Sequence, residues 1–97
     1  MRRAAKVDAN HGAIVKALRR VGCSVCDASG LGDGAPDLLV GVRGHNLCLE
    51  VKTSRGTLRA SQKAFQAGWR GQYAVVRSVD EALRVVAQAW AAPQESR

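Results

Sequence analysis

The alternation of apolar and polar residues predicts a β-hairpin in the middle of the chain. Apolar residues dominate two runs, residues 36–42 and residues 46–52. Arg43-Gly44-His45 lies between the runs and supplies a turn with a glycine at its centre. We therefore expect two antiparallel strands joined by this short connection.

Charged residues interrupt the second strand of the hairpin on one side only. Because side chains alternate between the faces of a strand, Glu50 and Lys52 share a face. Asp37, at the start of the first strand, can sit beside Glu50 across the hairpin. The predicted faces of the second strand are Leu47, Leu49 and Val51 on one side, and Cys48, Glu50 and Lys52 on the other.

This arrangement brings two carboxylates and an ammonium group to one surface. Two close carboxylates repel each other unless one is protonated or a cation lies between them. A hard divalent cation with oxygen ligands fits that position, and a neighbouring ammonium can orient water or neutralise a phosphate. The alternative is a solvated strand face with an incidental salt bridge. Charges within an otherwise apolar strand favour the functional interpretation.

Helical spacing of apolar residues predicts three helices around this hairpin. The first begins at Asp8 or Asn10 and runs to about Arg20. Trp69 and Trp90 fall on the apolar stripes of the second and third helices, so we expect both in the core. The other elements are a strand over residues 23–28, a helix over about 58–69, a strand over 72–77 and a helix that opens at the capping box 78–81.

The order of these elements predicts a single α/β domain. A helix between the hairpin and the last strand makes a crossover connection, which implies a mixed sheet with helices packed against it. A glycine-rich stretch, residues 29–35, precedes the hairpin. Two interpretations of this stretch are compatible with each other. It can be a flexible connection between strands, and it can be a loop that lets a backbone pass close to Asp37. We expect residues 1–7 to form a flexible basic arm and residues 93–97 a flexible tail.

Charge indicates the kind of partner. The 97 residues carry a net charge of +7, from 15 basic and 8 acidic residues. A polyanion is the expected partner, with nucleic acid favoured over an anionic membrane surface. Because no apolar run reaches membrane-spanning length and no signal-peptide core follows Met1-Arg2-Arg3, we expect a cytoplasmic protein without membrane attachment.

The motifs together resemble a known nuclease family. Residues 34–40 read GAPDLLV, residues 49–52 read LEVK, and Gln62 follows downstream. In an αβββαβ order, these strings resemble the PD-(D/E)xK nuclease superfamily, and in particular the small stand-alone VRR-NUC domains of phages and bacteria. The resemblance extends from about Asp8 to Val86. It implies a restriction-endonuclease-like core, with a mixed central sheet flanked by helices, working in the bacterial cytosol or a phage-infected host.

The resemblance also implies a phosphodiesterase that depends on Mg²⁺ or Mn²⁺. Asp37 and Glu50 would bind the metal, with the backbone carbonyl of Val51 as a further ligand. Lys52 would position or activate the attacking water and stabilise the pentavalent phosphorus. Gln62 corresponds to a glutamine that the family often has near the metal, although capping of the second helix fits the same residue.

Two positions depart from the family pattern. Many members have a glutamate in the first helix that completes the metal shell, whereas this chain reads Val7-Asp8-Ala9-Asn10-His11. Asn10, Asp8 or water would have to replace it. The segment before Gln62 also lacks the threonine-proline often found there, so the start of the second helix is expected to differ.

The implied substrate is branched DNA. The small stand-alone members resemble Holliday-junction resolvases that act as homodimers, because a two-fold dimer offers two active sites to a two-fold junction. A nicking or flap-type nuclease, or a non-catalytic nucleic-acid-binding module, is the alternative. The candidate phosphate contacts, which otherwise form a solvated basic face, are Arg19, Arg20, Arg55, Arg59 and Lys63.

Overall fold

The computed structural model describes residues 10–91, and Asp8, the predicted arm 1–7 and the predicted tail 93–97 lie outside this range. Within it the predicted order of helices and strands is confirmed, with ends shifted by a few residues. No helix among these residues is both long and apolar enough to cross a membrane. The elements are α1 His11–Arg20, β1 Ser24–Asp27, a short 3-10 turn Ser29–Leu31, β2 Leu38–Val42, β3 His45–Val51, α2 Ala60–Gly68, β4 Gln72–Val76 and α3 Val79–Ala91.

The four strands form one mixed sheet in the order β1-β2-β3-β4. β1, β2 and β3 pair antiparallel, whereas β4 pairs parallel with β3. A parallel neighbour requires the chain to return to the starting end of β3, and α2 makes that crossover. The predicted mixed α/β architecture is therefore confirmed.

The hairpin turn is one residue shorter than the sequence predicts. Val42 pairs with His45, so the turn itself consists of Arg43 and Gly44, and His45 begins β3. Both turn residues have positive φ, 49° and 82°. A two-residue turn with this backbone matches the right-handed twist of the strands it joins, which explains why His45 is free to pair.

β3 is buried on both faces, and the main core lies on the face turned to α1 and α3. The opposite face of β3 carries Cys48 and Glu50, which are buried as well. There α2 is the cover, since Gln62 bonds to Glu50 and the ring of Phe65 lies 6.2 Å from that of Tyr73. The main core consists chiefly of Ile14, Leu18, Leu38, Val40, Leu49, Val51, Val76, Ala82 and Val86.

The prediction that both tryptophans belong to the core is wrong. Trp69 and Trp90 are each 45% exposed. Trp69 follows the last turn of α2 and stacks on Phe65, with ring centroids 5.2 Å apart. The ring of Trp90 lies 5.3 Å from the guanidinium of Arg43 at the hairpin turn. Each indole therefore has one aromatic or cationic neighbour and a large exposed area.

Two polar side chains join the carboxyl ends of the parallel strands. Asn10 donates from Nδ2 to the carbonyls of Lys52, at 3.3 Å, and Arg77, at 2.9 Å. Arg77 in turn donates from Nη1 to the carbonyls of Thr53 and Gly56, at 2.8 and 2.6 Å. These bonds fix the segment between β3 and α2 against the end of β4. Asn10 precedes α1 but does not cap it with its side chain.

Gly34 brings the glycine-rich loop into contact with the start of α2. Its φ is 79°, and a Cβ at this position would overlap the backbone carbonyl of Ser61 and lie 3.0 Å from the nitrogen of Gln62. The loop therefore permits a close backbone approach, and that approach is made to the start of α2. A backbone approach to Asp37 itself stays a prediction.

We expect Gly34→Ala to destabilise the fold by at least about 2 kcal/mol, because left-handed backbone strain and overlap with a second backbone add together. Gly12→Ala is the matched control, since a Cβ there meets nothing within 4 Å inside α1. That variant should gain about 0.5–1 kcal/mol from helix propensity. Chemical denaturation of both variants measures the difference, and equal stabilities would contradict the predicted contact.

Candidate functional site

A buried carboxylate, that of Glu50, forms the centre of the candidate site. Glu50 is 1% exposed, and its Oε2 accepts a hydrogen bond of 2.9 Å from Gln62 Nε2. The ammonium of Lys52 lies 3.7 Å from the same oxygen. The other oxygen, Oε1, is buried without a hydrogen-bond partner among residues 10–91. Since such atoms are costly in a folded protein, Oε1 needs a partner, which a cation or a proton shared with the carboxyl of Asp37 would supply.

Asp37 faces Glu50 across the hairpin. Leu38 pairs with Leu49, and continuing this register by one residue brings Asp37 opposite Glu50. The carboxylate of Asp37 accepts the backbone N–H of Val51 through Oδ2, at 2.9 Å. Its carbonyl accepts the N–H of Ala28, at 2.8 Å. Asp37 is therefore held at both its side chain and its backbone, at the point where β2 begins.

Burial is the main reason that the pKa of Glu50 rises from 4.5 to about 7. The neighbouring charge of Asp37 raises the pKa further, and the ammonium of Lys52 lowers it. The ammonium of Lys52 therefore stabilises the ionised form of Glu50 by less than desolvation and repulsion from Asp37 destabilise it. An added cation at this position would favour the ionised carboxylate.

Gln62 caps α2, as one of the two alternatives predicted, and it also bonds to Glu50, whereas a place beside a metal stays a prediction. Its Oε1 accepts the backbone N–H of Arg59 at 2.8 Å, which caps the start of α2. Its Nε2 donates to Glu50. One side-chain amide thus ties the beginning of a helix to a buried carboxylate, and neither bond excludes the other because oxygen and nitrogen serve different partners.

Tyr73 is a member of this site that the sequence analysis missed. It pairs with Cys48 and therefore lies on the same sheet face as Glu50. Its hydroxyl is buried without a hydrogen-bond partner in the described part of the chain. Burial, together with the charges of Glu50 and Asp37, raises the pKa of Tyr73 to about 12. The parallel register of β3 and β4 brings Tyr73 beside Glu50. The residues of either strand alone do not predict that register, so no pattern in the sequence indicated Tyr73.

The predicted basic contacts separate into two groups. Arg55, Arg59 and Lys63 are exposed on the segment from the end of β3 into α2, next to Gln62. Arg19 and Arg20 end α1 on the hairpin-turn side of the sheet, where Arg19 donates to the carbonyl of Val25. The length of β3 puts about 20 Å between these two ends. The five candidate contacts therefore lie in two separate places, and their binding of phosphate stays a prediction.

The oxygen-rich part of the site is small. Among residues 10–91, no group of three or more His, Cys, Asp or Glu side chains converges to hold a metal ion. The acidic groups that face each other are those of Asp37 and Glu50. Asn10 has its Nδ2 occupied by backbone carbonyls, and its Oδ1 is buried without a partner in the described residues. Asp8, the other predicted candidate, falls outside the described range.

No family model, curated protein or solved structure matches this chain. Interpretation of the site therefore depends on its geometry and chemistry, together with the motif pattern in the sequence.

Without added metal, we expect stability to fall as the pH rises from 4.5 to about 7, the range between the ordinary and the raised pKa of Glu50. The folded protein keeps this proton where the unfolded chain has lost it, so stability present at low pH is lost through this window. The loss is at most about 3 kcal/mol.

Thermal unfolding of the wild type and Glu50→Gln across this pH range measures the effect. The wild type should lose stability relative to the variant as pH rises. Asp33→Asn, which removes a charge from an exposed loop residue, should keep the wild-type slope. A constant difference between wild type and Glu50→Gln would show that Glu50 titrates normally.

Proposed function

We propose that the protein is a metal-dependent, structure-selective DNA endonuclease of the PD-(D/E)xK type, similar to small VRR-NUC domains. The observation that carries the proposal is the unpartnered, buried Oε1 of Glu50 beside Asp37. The αβββαβ order and the mixed sheet are compatible with a restriction-endonuclease-like core. A salt bridge formed for stability alone would not require a second carboxylate beside it.

The residues present fit a divalent cation with oxygen ligands. Asp37 and Glu50 would hold it, together with the backbone carbonyl of Val51. The N–H of Val51 points to Asp37, and the carbonyl of a strand residue points to the same edge as its N–H. Bound there, Mg²⁺ or Mn²⁺ would polarise a phosphoryl oxygen and acidify water.

Lys52 supplies the positive charge that phosphodiester hydrolysis needs at its phosphate. The reaction joins a water oxygen to phosphorus and breaks one bond from phosphorus to a sugar oxygen. Negative charge grows on the phosphate oxygens meanwhile, and a fixed ammonium stabilises it. Gln62 keeps Glu50 oriented through its 2.9 Å hydrogen bond. Because the helix start fixes Gln62, that orientation is set before substrate binds.

The surroundings of the site suit a polyanion. Residues 51–79 contain six basic residues and no Asp or Glu. The two acids at the centre, buried Glu50 and half-buried Asp37, would repel phosphate without a cation, which favours an enzyme over a simple binding module. We further propose that DNA is branched and that two copies act together, since a two-fold pair can cut both strands of a two-fold junction.

The decisive experiment is cleavage of end-labelled four-way junction, flap and linear duplex DNA with Mg²⁺, Mn²⁺ or EDTA. We expect paired cuts in the junction that EDTA abolishes and that Glu50→Gln reduces by at least about a thousandfold, the scale of a lost electrostatic contact in a dry site. Cutting of all three substrates would keep the nuclease and remove junction selectivity. Tight metal-independent binding without cutting would indicate a binding module.

Metal binding has its own measurement, independent of turnover. Mg²⁺ should raise the thermal midpoint of the wild type, because a ligand that binds only the folded state stabilises it. Glu50→Gln should not respond, since the variant lacks the ionised oxygen. An equal response of both proteins would place the cation elsewhere.

We expect Lys52→Ala to lower turnover by about a hundredfold or more while the protein stays folded, because its charge acts on the developing phosphate charge. Glu50 can take up a proton when its cationic neighbour is removed, so the fold tolerates the change. Lys16→Ala, on the exposed face of α1, is the matched loss of one positive charge. Circular dichroism and single-turnover cleavage separate the two effects, and a melted Lys52→Ala protein would indicate a structural role.

A further inference from the structure

Trp69 presents an aromatic ring at the surface, close to the basic segment. Phe65 stacks against the indole with an interplanar angle of 17°, and Gly71 lies against its Nε1 edge, where an added Cβ would be 2.9 Å from Nε1. These neighbours fix the orientation of the ring, yet 45% of Trp69 remains exposed. A flat, rigid and half-exposed indole loses little freedom when another ring stacks on it.

The charges around Trp69 favour an anionic partner with a planar group. Trp69 lies within the acid-free segment 51–79, and Lys63 and Arg70 are exposed on α2 and just after it. Nucleic acid combines phosphates with planar bases. Aromatic rings next to positive charge form the usual platform for unpaired nucleotides, because every base offers a face for stacking.

α2 also sets the distance from Trp69 to the candidate site. Gln62, which bonds to Glu50, precedes Trp69 by seven residues along α2, or about 10 Å at the helical rise. That corresponds to about three nucleotides at the axial spacing of one DNA strand. A single strand that runs along α2 would therefore place a base on Trp69 within a few nucleotides of a phosphate at the site.

We propose that Trp69 stacks on an unpaired nucleobase within about three nucleotides of the cleaved phosphate, so that the enzyme prefers DNA with unpaired bases next to the cut. This inference rests on the proposed function, and it adds a binding site for a nucleobase. In paired duplex the bases are stacked on each other, and Trp69 has no partner there. Flaps, gaps and opened junction centres provide one.

Trp90 is the matched control within the same chain. It has the same exposed fraction as Trp69, but the guanidinium of Arg43 lies over its ring and it belongs to α3, outside the acid-free segment 51–79. If loss of any exposed indole weakens DNA binding, substitutions of Trp69 and of Trp90 will therefore have the same effect. If Trp69 is a stacking site, only substitution of Trp69 will weaken binding to DNA with unpaired bases.

The first measurement uses Trp90→Phe, in which Trp69 is the remaining tryptophan. Its fluorescence is titrated in EDTA at low salt with oligothymidylate and with duplex of equal length. We expect strong quenching by the single strand and little by the duplex, since only unpaired bases reach the indole. Equal quenching by both, or none by either, would overturn the proposal.

The second measurement is binding of Trp69→Ala, Trp69→Phe and Trp90→Ala to a flap and to duplex. Trp69→Ala should weaken flap binding about tenfold, the scale of one base-aromatic stack, and change duplex binding less than about twofold. Trp69→Phe keeps a stacking ring and should restore most of the flap affinity. Trp90→Ala should bind both like the wild type. Thermal melting checks that each variant is folded.

The outcomes separate this proposal from the proposed function. If wild type and Trp69→Ala cut and bind flaps equally, the stacking proposal fails and the nuclease remains. If Trp69 stacks on single strands but no substrate is cut, the nuclease proposal fails and a single-strand binding surface remains. If Trp69→Ala changes the molecular mass in solution without changing DNA affinity, Trp69 forms an interface between copies and the proposal is wrong.

Discussion

The burial of one ionisable carboxylate constrains most of this structure. Glu50 lies on a strand covered on both faces, and its charge is opposed by a second carboxylate at Asp37. Such a group persists only where fixed partners surround it. Lys52 and Gln62 supply part of that surrounding, and each is placed by its own backbone element. Glu50 is positioned by three features of the fold. The sheet register places Asp37 opposite it, the start of α2 brings Gln62 to it, and the loop before β2 contacts that helix start.

The start of α2 couples the fold to the site. Gln62 closes the first helical turn and reaches Glu50 with the same amide, while Gly34 allows the preceding loop to touch the backbone of Ser61. Displacement of the helix start would therefore move a partner of Glu50, not only a surface segment. Asn10 and Arg77 hold the other side of the same region through four backbone carbonyl bonds. Rigid elements of this kind are what precise placement of chemical groups requires.

Patterns within short stretches of the sequence predicted the features that depend on neighbouring residues, namely the hairpin, the face of each strand residue and the helix cap. Strand alternation and a hairpin connection sufficed to put Asp37 beside Glu50, and a capping position identified Gln62. The tertiary arrangement decided the rest. Tyr73 joins the same face through a parallel register set by a crossover, and Arg19 lies at the far end of the sheet because α1 runs away from the site. The two tryptophans are 45% exposed, and an apolar stripe in the sequence does not reveal how much of each side chain its neighbours will cover.

The parallel pairing of β4 with β3 also determines when the site can form as the chain is synthesised. Asp37, Glu50, Lys52 and Gln62 are all synthesised before β4, Gln72–Val76. Until β4 arrives, β3 lacks its second neighbour and Glu50 remains in contact with water. A nascent chain therefore contains Asp37, Glu50, Lys52 and Gln62 before its last strand. The burial that raises the pKa of Glu50 begins only after β4 has paired with β3.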